Sequence, residues 1–255
     1  MTLAAKDLKA FLDERVALYN NVGFIPTDPV SIPHRFDRRA DIEVAGFLTA
    51  VIAWGNRIAI LRSASRLMEL LDRAPYDFVM QYQASDLKRL EPFVHRTFNG
   101  TDLLAFVGAL RHIYTHHGGL EGVFTQHQTD DSLQPAIHVL KEIFCSCPHL
   151  PRSCKHLSDP MAGSAAKRIN MFLRWMVRRD DKGVDFGLWR DISPAKLSCP
   201  LDLHSGRVAR MLGLLTRKQD DAKAVCELDR ALRDFDAEDP VKYDFALFGL
   251  GVFEK

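Results

Sequence analysis

Apolar positions recur at intervals of three and four along nearly the whole chain, and no segment sustains the two-residue alternation of a half-buried strand. The run DIEVAGFLTAVIAW, from Asp41, is almost continuously apolar and predicts a short helix buried on most sides. Residues 57–71 place Ile58, Leu61, Ala64, Leu67, Met68 and Leu71 on one helical face. Thr101 or Asp102 is expected to cap DLLAFVGALRHIYTHH, which Gly118 and Gly119 stop, and a further helix fits residues 132–144. Ile169, Phe172, Leu173, Met176 and Val177 form a continuous stripe, with Lys167, Asn170, Arg174 and Arg178 together on another face. Val208, Met211, Leu212 and Leu215 mark the buried side of a helix that follows Asp202. The pattern predicts an all-α protein of about ten or more helices. Pro-rich stretches at residues 24–33 and 147–160 are the expected junctions between two intimate helical lobes of one unit spanning residues 1–255.

Composition narrows the class. The chain has 255 residues, 47% hydrophobic and 26% charged, which excludes disordered and disulfide-scaffold chains and allows a sizeable core. The best apolar run, residues 44–54, is interrupted by Gly46 and Thr49 and is too short for a membrane span, so no membrane partner is expected. The N-terminal MTLAAKDLKAFLDERVALY mixes charge into its apolar residues and does not read as a secretory signal. Five cysteines, an odd number, then point to reduced thiols and a cytoplasmic protein. The net charge of +1 hides a division: residues 152–218 hold 14 Lys and Arg against 6 Asp and Glu, between flanks with acidic surpluses. A localised anion-binding face would produce that profile.

The basic segment also carries the candidate chemistry. A helix beginning near Ser164, after the Pro-Met-Ala-Gly turn, would offer first-turn N–H groups to a phosphate. Lys167 would then sit about one turn inside, where the helix dipole and Arg168 disfavour its ammonium form. By residue type it reads as a solvated surface lysine; tuned in this way, it can instead attack an electrophilic carbon and form a Schiff base. Asp202, in CPLDLHSGRVARMLGLL, reads as an N-cap. A capping carboxylate is held in place with one oxygen left over, so capping and catalysis are compatible.

GSAAKRINMFLRWMVRRDDKGVDFGLW, PLDLHSGRVARMLGLLTRKQD and DPVKYDFALFGLG resemble a bacterial family catalogued as a domain of unknown function, with FIPTDPVSIPHRF and HRTFNGTDLL extending the match over nearly the whole chain. Through it the chain resembles helix-hairpin-helix DNA glycosylases, most closely the archaeal 8-oxoguanine type. The resemblance implies a two-lobed helix-hairpin-helix fold with its hairpin and active-site segment at residues 155–215. Met161-Ala162-Gly163 falls on the hairpin, Lys167 on the nucleophilic lysine, and Asp202, with His204, Arg207 and Val208, on the segment supplying the catalytic aspartate. The hairpin departs from Leu-Pro-Gly-x-Gly in having Ala165 at the second glycine. Residues 180–198 lengthen the lysine–aspartate separation to 35. The iron–sulfur cluster of some relatives needs four C-terminal cysteines, and none follows Cys226, so no cofactor is expected.

The same resemblance places Asn56 and Arg57, after Trp54-Gly55, where polar side chains fill the gap left by an extruded base; they also suit an ordinary turn and helix start. His95, Arg96, Asn99 and His204 are expected to border the pocket. Gly163, Ser164, Lys155, Arg168 and Arg174 are expected to hold phosphates. Trp175 and Trp189 could stack on a base, with core packing the stronger reading for Trp175. Cys145, Cys147, His149, Cys154 and His156 have ligand chemistry, but C-x-C-x-H lacks the usual zinc spacing and the cysteines read as loop thiols without a metal. His112 and His116 read as a polar helix end. The expected function is a monomeric base-excision glycosylase and AP lyase acting on lesion-bearing duplex DNA. A non-catalytic module binding DNA or RNA, or a scaffold meeting an acidic protein, would use the same basic segment.

Overall fold

The structure, a computed structural model, describes residues 5–254. Twelve α-helices and several 3-10 turns hold almost all its regular structure. The first helix is α1, Ala5–Tyr19. Then come α2 (Arg39–Val51), α3 (Arg57–Leu70), α4 (Pro75–Gln81), α5 (Ala84–Leu87), α6 (Gly100–His116), α7 (Gly119–His127) and α8 (Gln134–Ser146). The C-terminal part holds α9 (Lys167–Val177), α10 (Leu203–Met211), α11 (Ala222–Phe235) and α12 (Tyr243–Val252). The one sheet among the described residues is a two-residue antiparallel pair, Val94–His95 with Phe98–Asn99. No helix is long and apolar enough to cross a membrane, among the same residues.

Two compact units share the chain. One comprises Met1–Pro26, Thr129–Pro135 and Asp159–Lys255; the other comprises Thr27–Gln128 and Ala136–Ser158. Two of the crossings, after Pro26 and after Ser158, fall inside the Pro-rich stretches. The short return of residues 129–135 had no compositional mark.

The second unit is built around α2, buried along almost its whole length as its apolar density implies. Phe106 of α6 is its aromatic centre, with Phe98 at 5.4 Å, Phe144 at 4.5 Å and Phe47 at 6.2 Å between ring centroids. Asn99 caps α6, displacing the expected Thr101 or Asp102. Its side chain accepts from Asp102 N–H, while Asp102 accepts from Asn99 N–H. Gly118, at φ +70°, ends the helix in a conformation that costs glycine least. On α3 the buried face is Ile60, Ala64, Leu67 and Met68, whereas Ile58 is 78% exposed. The helix starts only at Arg57, so Ile58 lies in its first turn, off the packed face.

In the first unit, α1, α10, α11 and α12 enclose an apolar core that includes Leu12, Leu201, Val208, Leu228, Leu232 and Leu247. Met211, expected inside, is 77% exposed because α10 ends there, and Leu214 and Leu215 enter the core from the following turn. The stripe of α9 is buried as the periodicity predicts, but so is every residue from Ile169 to Val177, Asn170 and Arg174 included. Residues 180–198 contribute to this over the C-terminal half of the helix. Phe186 N–H and Trp189 N–H donate to the carbonyls of Trp175 and Met176, and Trp189 packs edge-on against Phe172. Trp175 and Trp189 are thus fully buried core side chains rather than exposed stacking surfaces.

Candidate active site

The hairpin preceding α9 is built by backbone turns. Gly163 N–H donates to Pro160 O at 2.9 Å, and Ser164 N–H donates to Asp159 O at 3.0 Å. Gly163 has φ +91°, a value that favours glycine. Its carbonyl accepts from Ala222 N–H at 3.0 Å, which ties the hairpin to the start of α11. Ala165 stands without strain where the second glycine was missed. Ala166 instead takes the left-handed conformation, at φ +46°. The helix accordingly begins at Lys167 itself, three residues later than expected, so that Lys167 is at the helix mouth rather than a turn inside.

Thirty-five residues on, Asp202 is the N-cap of α10. Its Oδ1 accepts from His204 N–H at 2.8 Å and Ser205 N–H at 3.1 Å, while Ser205 Oγ accepts from Asp202 N–H at 2.9 Å. The other oxygen, Oδ2, lies 3.6 Å from Lys167 Nζ. Both side chains are about a quarter exposed, 29% and 24%. Three residues before Asp202, Cys199 N–H donates to the buried Asp229 carboxylate at 2.9 Å.

Beneath the pair lies a chain of buried charges. Asp244, on α12, receives Arg174 Nη1, and Cys199 Sγ lies 3.8 Å from its other oxygen. Arg174 Nε also donates to Asp185 at 3.2 Å. Arg178 Nη1 and Nη2 reach Asp185 at 3.1 Å and Asp239 at 3.0 Å. Burial pushes the Asp244 carboxyl up to about 6; Arg174 and Lys167 draw it down, and the Asp202 charge adds to the rise. Burial likewise lifts Asp229 to about 6 and raises the Cys199 thiol well above its ordinary value. Arg168, half-buried, is lowered to about 10 by the same cause.

Lys167 and Asp202 therefore come together, with Gly163 and Ser164 in the adjoining hairpin and Arg168 next along α9. Met161, Ala162 and Gly163 are exposed at the hairpin tip. Arg174 is a correction: it is 4% exposed and held between Asp185 and Asp244, so it cannot meet a phosphate. Residues 180–198 supply Asp185, which pairs with that face of α9. His204 is exposed in the first turn of α10, and its backbone N–H serves the Asp202 cap.

The remaining candidates belong to the second unit. Asn56 is the N-cap of α3, accepting from Ala59 N–H at 3.2 Å, and Arg57 is its first residue. His95 does not line an open pocket: it is 3% exposed, with Nδ1 2.9 Å from Ser63 Oγ and Nε2 3.2 Å from Trp54 O. Burial lowers its pKa. Arg96, at φ +56°, is exposed and lies over Gly55, where a Cβ would come within 2.6 Å of its Nη1. Asn99 is committed to capping α6, and Lys155 is exposed on the 3-10 segment Pro151–His156. Cys145 and Cys154, expected as separate thiols, are joined as a disulfide because the turn after α8 brings their Cα atoms to 6.1 Å. The residue that the sequence reading passed over is Asp244; its signal was a lone acid in the apolar run YDFALFGLG.

No curated protein and no solved structure matches the chain. A family model described as "Protein of unknown function (DUF2400)" matches residues 28–253, the segment that carries Lys167, Asp202 and Asp244 alike. By that match over most of its length, the chain belongs to the DUF2400 family.

Proposed function

We propose that this protein is a helix-hairpin-helix glycosylase-like enzyme that binds lesion-bearing duplex DNA and excises a damaged base through Lys167 and Asp202. One observation carries the reading: an amine and a carboxylate 35 residues apart in sequence meet at 3.6 Å beside a hairpin whose backbone precedes the lysine's helix. Asp202 is positioned by its cap through Oδ1, which leaves Oδ2 to take a proton from Lys167. The target nucleotide must leave the stack before its anomeric carbon is accessible. The freed amine attacks that carbon, the glycosidic bond breaks, and the base departs with the bonding electrons and gains a proton. Opening of the sugar ring then leaves a Schiff base, from which β-elimination would cleave the strand. Gly163, Ser164 and Arg168 supply phosphate contacts, which give affinity without sequence choice. The buried acid Asp244 lies within electrostatic reach of both groups.

Borohydride reduction tests this directly. On duplexes bearing oxidised, deaminated or abasic sites, it should trap a covalent protein–DNA adduct through the reduced Schiff base. Lys167→Gln should abolish the adduct and leave duplex affinity nearly intact. Adducts that persist in Lys167→Gln would assign the chemistry to another amine. Salt-sensitive binding without any adduct would make the protein a non-catalytic nucleic-acid-binding module.

A further inference from the structure

In the second unit, Cys145 lies in the last turn of α8, the chain turns through Pro148, and the 3-10 segment Pro151–His156 brings Cys154 back beside it. His149 lies between them, and one ligand atom from each of the three residues falls within 4.8 Å of the others. All three are partly exposed, so an ion in solution can reach them. Cys147, the cysteine that spoiled the zinc spacing, is turned away and buried, its Sγ donating to Ile143 O at 3.4 Å. Without it the ligand order is Cys-x3-His-x4-Cys, within the intervals usual for zinc.

The imidazole provides an independent sign. His149 Nδ1 lies 2.6 Å from Cys147 O, and a carbonyl can only accept, so Nδ1 must carry the hydrogen. In the neutral ring the lone pair is then on Nε2, which lies 3.0 Å from Cys154 Sγ. A disulfide sulfur has no hydrogen to offer that lone pair. A backbone carbonyl fixing the far nitrogen of a ligating histidine is the usual support of a metal site.

We propose that, once the disulfide is reduced, Cys145, His149 and Cys154 bind one zinc(II) ion, with the fourth position open to water. A dithiol or phosphine reductant converts the disulfide to two thiols and is itself oxidised. The thiols bind zinc as thiolates and release two protons. Tetrahedral zinc holds its sulfurs roughly 3.7 Å apart, so the two side chains need only swing apart across a 6.1 Å Cα separation. The ion would clip the end of α8 to the 3-10 segment. That segment satisfies buried Asp102, through Ser153 Oγ at 2.7 Å and Arg152 Nη2 at 3.1 Å. Metal binding is therefore expected to stabilise the fold.

The test uses the full chain, reduced with a phosphine, freed of metal and titrated anaerobically with cobalt(II). One equivalent should produce thiolate-to-cobalt charge-transfer absorption and the intense visible bands of four-coordinate cobalt, all abolished by excess zinc, and should raise Tm. His149→Ala and Cys154→Ser should each weaken cobalt binding by at least about tenfold. Cys147→Ser should leave it unchanged, and far-UV circular dichroism should show each variant folded. A folded, reduced chain with no cobalt spectrum overturns the proposal. So does a spectrum that survives Cys154→Ser, or a disulfide that resists reduction in the native protein and keeps the metal out.

Discussion

Asp202 has two roles, and substitution can separate them. Its Oδ1 takes two backbone N–H groups at the start of α10, while its Oδ2 faces Lys167 at 3.6 Å. Asp202→Asn keeps an oxygen for the cap, and asparagine caps about as well as aspartate. It removes the charge facing Lys167. For side chains a quarter exposed, that pair contributes about 0.2–1 kcal/mol at most. The loss is offset because the same charge opposes ionisation of buried Asp244. Asp202→Ala removes the cap as well, at a further cost of about 1 kcal/mol. Urea denaturation should therefore place Ala below Asn by about 1 kcal/mol, or about 2–4 °C in Tm. Borohydride trapping should fail in both. Equal stability of Asn and Ala would refute the capping geometry. Full trapping by Asp202→Asn would show that the carboxylate charge is not needed, and the proposed mechanism would fall with it.

Arg174→Met should destabilise the protein by about 3–5 kcal/mol in urea denaturation, because Asp185 and Asp244 are left buried without their partner; a loss under 1 kcal/mol would show that the network is not what it appears from its geometry. Asp229 has a folded-state pKa raised to about 6, so as pH falls the folded state takes up its proton before the unfolded state does, and stability rises through that interval. Asp229→Asn, which keeps an acceptor for Cys199 N–H, should stabilise the protein by about 1–3 kcal/mol at pH 7.5, with the gap to wild type closing towards pH 4; a gap that widens on acidification contradicts the assignment. Asn56→Asp preserves the cap of α3 while adding a negative charge, so thermal stability should hold within about 0.5 kcal/mol while duplex affinity falls; an unchanged Kd at low salt removes Asn56 from the nucleic-acid face.

Much of the architecture was legible from the pattern of residues. The helical period located α2, α3, α6, α8, α9 and α10 because local burial patterns depend only on neighbours three and four apart. Lys167 and Asp202 were legible as candidates only in part by local pattern, a lysine beside Arg168 near an expected helix start and an aspartate placed to cap a helix; the resemblance to helix-hairpin-helix glycosylases singled them out. The errors also have local causes. Ile58 and Met211 sit in terminal turns, where the period no longer says which side faces the core. His95 is a buried polar residue both of whose ring nitrogens have partners, Ser63 Oγ and Trp54 O, so it has none left for a pocket.

What periodicity and residue chemistry determine is therefore which segments coil and which side chains could react. What only the tertiary structure decides is which of those side chains meet and which are shut away. Arg174 has the sequence character of a phosphate ligand, yet residues 180–198 fold over α9 and bring Asp185 against it. Asp244, from the far end of the chain, closes the same network beside Lys167 and Asp202. Cys147 and Cys154 are equivalent as residue types, but the turn after α8 directs one sulfur inward to Ile143 O and the other towards Cys145 and His149. Such choices depend on contacts between residues distant in sequence, where desolvation and pairing of charges are settled by packing, and no local pattern encodes them.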